Sequence, residues 1–223
     1  MESREKGRIS KSFGSRAMPG LSRSILAGIA GSAALLSSHA AWADGATLDI
    51  VGDMEVSIDG ETRDHVIISG EVGGEAGQSA FIQENELPGG RSFWELNITG
   101  YDPDSENILS EDMIAITVSL GSGSEPQLDP DHFFGLEMIW IKENGFRPEV
   151  AYVTEGHDLE DAELTIEHFE FDGETGEIRG SATGTACRLS MQDLHAGIDE
   201  EDCVPLEAHF ESPLAFELMS CDQ

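Results

Sequence analysis

Residues 162–189 read AELTIEHFEFDGETGEIRGSATGTACRL, two extended runs on either side of a glycine-bearing turn. Leu164 and Ile166, then Phe169 and Phe171, supply the apolar residues of the first run. The Asp172-Gly173-Glu174-Thr175-Gly176 segment offers two glycines for the positive-φ positions of a tight reversal. In the second run Ile178, Gly180, Ala182, Gly184 and Ala186 alternate with Arg179, Ser181, Thr183, Thr185 and Cys187, the two-residue period of a strand with one polar face. The inward face of that run is almost bare, so an aromatic side chain is expected to pack over it. A hairpin this long commits the chain to a sheet.

The rest of the sequence agrees. Over residues 47–59, Leu48, Ile50, Gly52, Met54, Val56 and Ile58 alternate with mostly polar neighbours, and Asp59-Gly60 is a turn signal before a returning strand at 66–72. Residues 73–77 read as a flexible link and 80–83 as a weak strand. Further strands are expected at 93–99, 113–120, 133–141 and 146–154, the last two joined through Lys142-Glu143-Asn144-Gly145, a strong hairpin signal. A loop is expected over 190–202, followed by a strand at 204–210. Pro205 places that strand at an edge or turns its own position outward, because proline cannot donate to a ladder. Leu214, Phe216 and Leu218 suggest one more short strand. No ten-residue segment carries a helical period. About ten strands at such spacing predict an all-β fold, an antiparallel, jelly-roll-like β-sandwich, with a small closed β-barrel as the alternative.

The first 43 residues stand apart. Arg4, Lys6, Arg8, Lys11, Arg16 and Arg23 precede an apolar run at 25–36 and the small-x-small site Ala41-Trp42-Ala43. That is the pattern of a cleaved secretory signal, and the run is too short for a membrane span, which needs about 20 apolar residues. The expectation is a periplasmic or secreted protein with one acidic domain over 44–223 and no membrane insertion after cleavage. Without the leader, 42 carboxylates face six basic residues, a formal charge of −36, and Lys142 is the only lysine left. Such a surface repels nucleic acid and anionic lipid and attracts cations. It reads either as adaptation to salt or as divalent-metal binding.

Candidate chemistry is sparse. Asp102, Asp104 and Glu106 occupy alternate positions in an acidic loop, the i, i+2, i+4 spacing with which loops wrap calcium, although Asn107 and Met113 break the EF-hand pattern. Asp129 and Asp131 repeat the Asp-Pro-Asp start. The histidines lack zinc-ligand spacing, and no nucleophile elbow or phosphate loop occurs. Cys187, Cys203 and Cys221 predict one disulfide and one thiol in an oxidising compartment. Cys187–Cys203 is the preferred pair. Cys203–Cys221, across a reversal centred on Ser212, and Cys187–Cys221 are the alternatives. The functional expectation is an exported, non-catalytic binding or structural module for a protein or glycan partner, stabilised by cations. A carrier of a small apolar ligand in a barrel interior is the second reading, and a carboxylate-based glycosidase or lyase the third.

Overall fold

The computed structural model describes residues 47–72, 75–87, 91–105, 111–123, 125, 126, 128, 133–142, 149–154, 162–193 and 197–217. It is all-β, with no helix among the described residues. Eleven strands follow in chain order: β1 Thr47–Ile58, β2 Glu61–Val72, β3 Glu75–Gln78, β4 Ala80–Leu87, β5 Arg91–Tyr101, β6 Met113–Leu120, β7 Phe133–Ile141, β8 Val150–Thr154, β9 Glu163–Phe171, β10 Thr175–Ser190 and β11 Ile198–Glu217. All lie in one sheet of order β3-β2-β1-β11-β4-β5-β6-β7-β8-β10-β9. Further pairings, β2 with β5 and β10 with β11, bring the sheet back on itself, so that eight strands form a hydrogen-bonded ring. The fold is therefore sandwich- or barrel-like, as the strand spacing predicts. It departs from a purely antiparallel sheet at one place, where β11 and β4 run parallel through Ala215, Phe216 and Glu217.

The predicted hairpin at 162–189 is β9 and β10. Its turn is tighter than expected. Asp172 accepts from the backbone N–H of Glu174 and of Thr175, and only Gly173 has a positive φ, at 102°. Those two backbone donors hold the Asp172 carboxyl below its ordinary range. Gly176 is not a turn residue but part of β10. A Cβ there would come within 2.2 Å of the Glu170 carbonyl oxygen, so it is glycine for close approach. The bare face of β10 is covered as expected. Phe210 lies opposite Gly180, and its ring would sit 3.2 Å from a Cβ at that position.

The largest difference from expectation is β11. In place of two short strands about a reversal at Ser212, one strand runs for 20 residues. It pairs with β10 along one edge, and on the other edge with β1 through 206–211 and with β4 through 215–217. Pro205 and Pro213 fall just outside the stretch paired with β1, where the missing N–H removes no bond to that strand. The expected loop at 190–202 is shorter as well, since Arg188 and Leu189 pair with Asp199 and Ile198 after a register shift at Cys187. Other boundaries also move. Residues 75–77, read as part of a link, join Gln78 in β3 against β2, β2 begins at Glu61, and the weak strand at 80–83 extends to Leu87. The Asn144-Gly145 turn, the leader and Cys221 lie outside the described residues.

Alternation sorts the side chains into two cores. The larger joins Met54, Val56 and Ile58 of β1 to Ile82, Leu96, Ile98, Ile114, Ile116, Met138 and Phe210, all almost fully buried. Fully burying a side chain of this size contributes roughly 1.5–3 kcal/mol. The smaller core lies on the opposite face of the same strands: Met113 beside Ile114, Ile141 beside Trp140, with Val66, Ile68, Tyr101, Val153 and Leu189. Burial pushes the Tyr101 hydroxyl up to about 12.

Candidate functional site

The register brings the ends of four strands together. Val66 pairs with Tyr101, Tyr101 with Met113, and Met113 with Ile141. The residues just beyond these pairs therefore meet at one corner: Arg63 and His65 from β2, Asp102 and Ser105 after β5, Glu111 and Asp112 before β6, and Lys142 after β7. Asp112 organises it. It is 8 % exposed and has a φ of 46°, a left-handed conformation that aspartate tolerates better than most residues.

Every polar group of Asp112 has a partner. Its N–H donates to the Lys142 carbonyl at 3.1 Å. Its carbonyl accepts from the Asp102 N–H at 3.3 Å and from His65 Nε2 at 3.0 Å. Oδ1 accepts from the Trp140 indole at 2.7 Å, and Oδ2 from Arg63 Nη1 at 2.7 Å. His65 is thereby fixed with its proton on Nε2, and its buried Nδ1 has no partner. The Arg63 guanidinium is held above its ordinary range, chiefly by the Asp112 bond and also by Glu61.

Over this corner opens a cleft of about 230 Å³ lined by Arg63, Asp102, Ser105, Glu111, Asp112 and Lys142. It carries both signs of charge. Asp112 and Arg63 neutralise each other, which leaves Lys142 facing Asp102 and Glu111 with no ion-pair partner among the described residues. Trp140 belongs to the core, and its indole N–H also steers Asp112 into place.

The predicted metal loop begins on the rim of this cleft. Asp102 Oδ1 accepts from the Asp104 N–H at 2.8 Å, and Glu106 lies outside the described residues. Among the described residues no three His, Cys, Asp or Glu side chains converge in a way that could hold a metal ion. Asp129 and Asp131 also lie outside them. The preferred disulfide is present, Cys187 opposite Cys203 on β10 and β11. Continuous pairing of β11 through Ser212 overturns the alternative register for Cys203–Cys221.

A second polar region was not anticipated. On the outer face of β4–β7, opposite Ile82, Leu96 and Met138, the register aligns Gln83, Glu95, Ser119 and Gly135 in one row and Asn97, Thr117 and Glu137 in the next. Glu95 Oε1 accepts from Gln83 Nε2 at 2.7 Å and from Asn97 Nδ2 at 3.0 Å, and Thr117 donates to Asn97 Oδ1 at 3.0 Å. Gln83 is 4 % exposed and Asn97 6 %. Yet Gln83 Oε1 and, further along β4, Asn85 Nδ2 are buried without partners. Glu137 has no hydrogen bond or ion pair among the described residues. Burial, with the charge of Glu95 adding to it, pushes its carboxyl up to about 7. The signal was present in the sequence: a lone acid in the apolar run Phe133–Ile141.

Together these features define an all-β protein with a two-signed surface cleft and a separate buried polar patch. No family model matches the chain, and neither the curated proteins nor the solved structures contain a match to it.

Proposed function

We propose that this chain is an exported, non-catalytic binding module of the periplasm or cell exterior, which recognises a glycan or protein partner through the cleft at Arg63, Asp112 and Lys142. One observation carries the reading: every polar group of Asp112 is engaged in holding four strand ends around an open cleft. A corner fixed in this way presents Lys142, Asp102 and Glu111 in set positions, and preorganisation of this kind lowers the cost of binding. A filled interior supports a surface site over an apolar carrier cavity, since Phe210 and Ile166 occupy the space beside Gly180. The disulfide supports an oxidising compartment. Among the described residues no helix is long and apolar enough to cross a membrane. The Asp102–Asp104 turn on the rim is where cation stabilisation of this site would act.

A glycan array tests the reading. Wild-type protein is expected to retain glycans with an acidic group that Lys142 can pair, and Lys142→Glu to lose them while its circular dichroism stays unchanged. Binding that Lys142→Glu leaves intact, or an array with no binder, rejects the glycan form of the proposal.

A further inference from the structure

The Asp112 network settles the shape of the corner and leaves three charges over. Arg63 is committed to Asp112 and Glu61, so the uncompensated groups of the cleft are Lys142, Asp102 and Glu111. The backbone sets their spacing. Asp112 donates its N–H to the Lys142 carbonyl and accepts from the Asp102 N–H, so one of the two lies on each side of it. Two strand spacings put the backbones of Asp102 and Lys142 about 10 Å apart. The lysine does not close that gap, since it forms no ion pair with either acid among the described residues.

The sum of these charges selects among ligands. One cation faces two carboxylates, on a chain of formal charge −32. A simple acidic sugar would pair with Lys142, but its charge would lie beside Asp102 and Glu111 in a field that repels anions. A purely cationic sugar would satisfy the acids and leave Lys142 unpaired. A ligand with both an ammonium and a carboxylate meets both signs and carries no net charge into that field. Ser105 supplies an independent observation. It lines the cleft, and its hydroxyl oxygen is buried without a hydrogen-bond partner. Such a group carries a desolvation cost until a partner arrives, and a sugar hydroxyl offers both donor and acceptor. The cleft, at about 230 Å³, is smaller than the about 300–1,000 Å³ of pockets that enclose drug-sized molecules, so it suits one terminal residue.

Resting on the cleft as the binding site, we propose that its ligand is zwitterionic: a terminal amino sugar that also bears a carboxylate. The ammonium faces Asp102 and Glu111, the carboxylate faces Lys142, and a ring hydroxyl meets Ser105 Oγ. Acetylating the amine removes the cation and leaves an ordinary acidic sugar, so the cleft separates free amines from capped ones.

Isothermal titration of the full chain with muramic acid, a glucosamine carrying a lactyl carboxylate, tests it at mildly acidic pH, where the amine is fully charged. One saturable site is expected. N-acetylmuramic acid, which lacks the ammonium, and glucosamine, which lacks the carboxylate, each bind at least tenfold more weakly. Asp102→Asn keeps the oxygen that accepts from the Asp104 N–H and removes the charge. Combined with Glu111→Gln, it should weaken muramic acid at least tenfold and leave N-acetylmuramic acid no weaker, with circular dichroism unchanged. If N-acetylmuramic acid binds as tightly as muramic acid and Lys142→Glu abolishes both, the cleft reading stands and the zwitterion is overturned. Binding of muramic acid that survives Lys142→Glu and the double variant alike overturns both. No saturable binding of muramic acid overturns the zwitterion and leaves the cleft to the glycan array.

Discussion

The corner at Asp112 and the patch around Glu95, where Gln83 and Asn97 are buried, are both polar regions at sheet positions, and they are finished to different degrees. At the corner the Asp112 carboxylate meets a guanidinium and an indole, while its backbone N–H and carbonyl meet the Lys142 carbonyl, the Asp102 N–H and the His65 ring. In the patch a second carboxylate, Glu137, has neither donor nor counter-charge among the described residues, and the Gln83 carbonyl on β4 is left open. At the corner every polar group of Asp112 itself is satisfied and His65 Nδ1 and Ser105 Oγ lack partners, so that network mainly fixes geometry. A partly satisfied one is the place where something from outside can lower the free energy.

The sharpest way to break this contrast is at Asp112. Asp112→Ala removes the acceptors of Trp140 and Arg63 and places alanine at positive φ, so a loss of roughly 3–5 kcal/mol is expected in urea unfolding. Asp112→Asn, which keeps the conformation and the Trp140 bond, should lose much less. Equal losses would mean that the corner is held by its charge alone.

Glu137 comes next, through pH. Its carboxyl is raised to about 7 in the folded state, so between about pH 4.5 and 7 the native protein keeps a proton that the unfolded chain releases. Stability should therefore fall as pH rises through that window, by on the order of 3 kcal/mol in total. Glu137→Gln removes this component. The variant should match wild type at low pH and exceed it above pH 7, as measured by urea midpoints in metal-free buffer. A constant difference at all pH values would place Glu137 in water rather than in the patch.

The smallest effect sharpens the comparison most. Without added cation, Gln83→Met loses one hydrogen bond but also an orphaned acceptor, so a change within about 1 kcal/mol is expected. A loss as large as that of Asp112→Ala would show that the patch is as complete as the corner.

Much of the fold was legible because the sheet writes its own period. The hairpin at β9 and β10, the alternation of β1 and the Cys187–Cys203 pair all follow from residues that face each other across one turn. β11 was misread because Pro205 and Pro213 look like strand ends in one dimension. In the sheet they mark where one edge passes from no partner to β1, and from β1 towards β4. The site was harder to foresee. Asp112 sits between an acidic loop and a strand, and its importance depends on Arg63, His65 and Trp140 arriving from 28 to 49 residues away. Only the register of four strands, which no local pattern encodes, brings them there.

That same dependence on distant partners gives β11 a consequence in time. β1 has β2 on one edge and waits for β11 on the other, with Val56 opposite Ala208 across some 150 residues of chain. β4 likewise gains its second neighbour only from the far end of β11. A ribosome or a translocation channel releasing the chain from its beginning would thus deliver an open-edged half-sheet until residue 217 emerged. Closure would come as one late, slow event, typical of sheets built from contacts far apart in sequence. Among the described strands, the one that closes the sheet is thus the last in chain order.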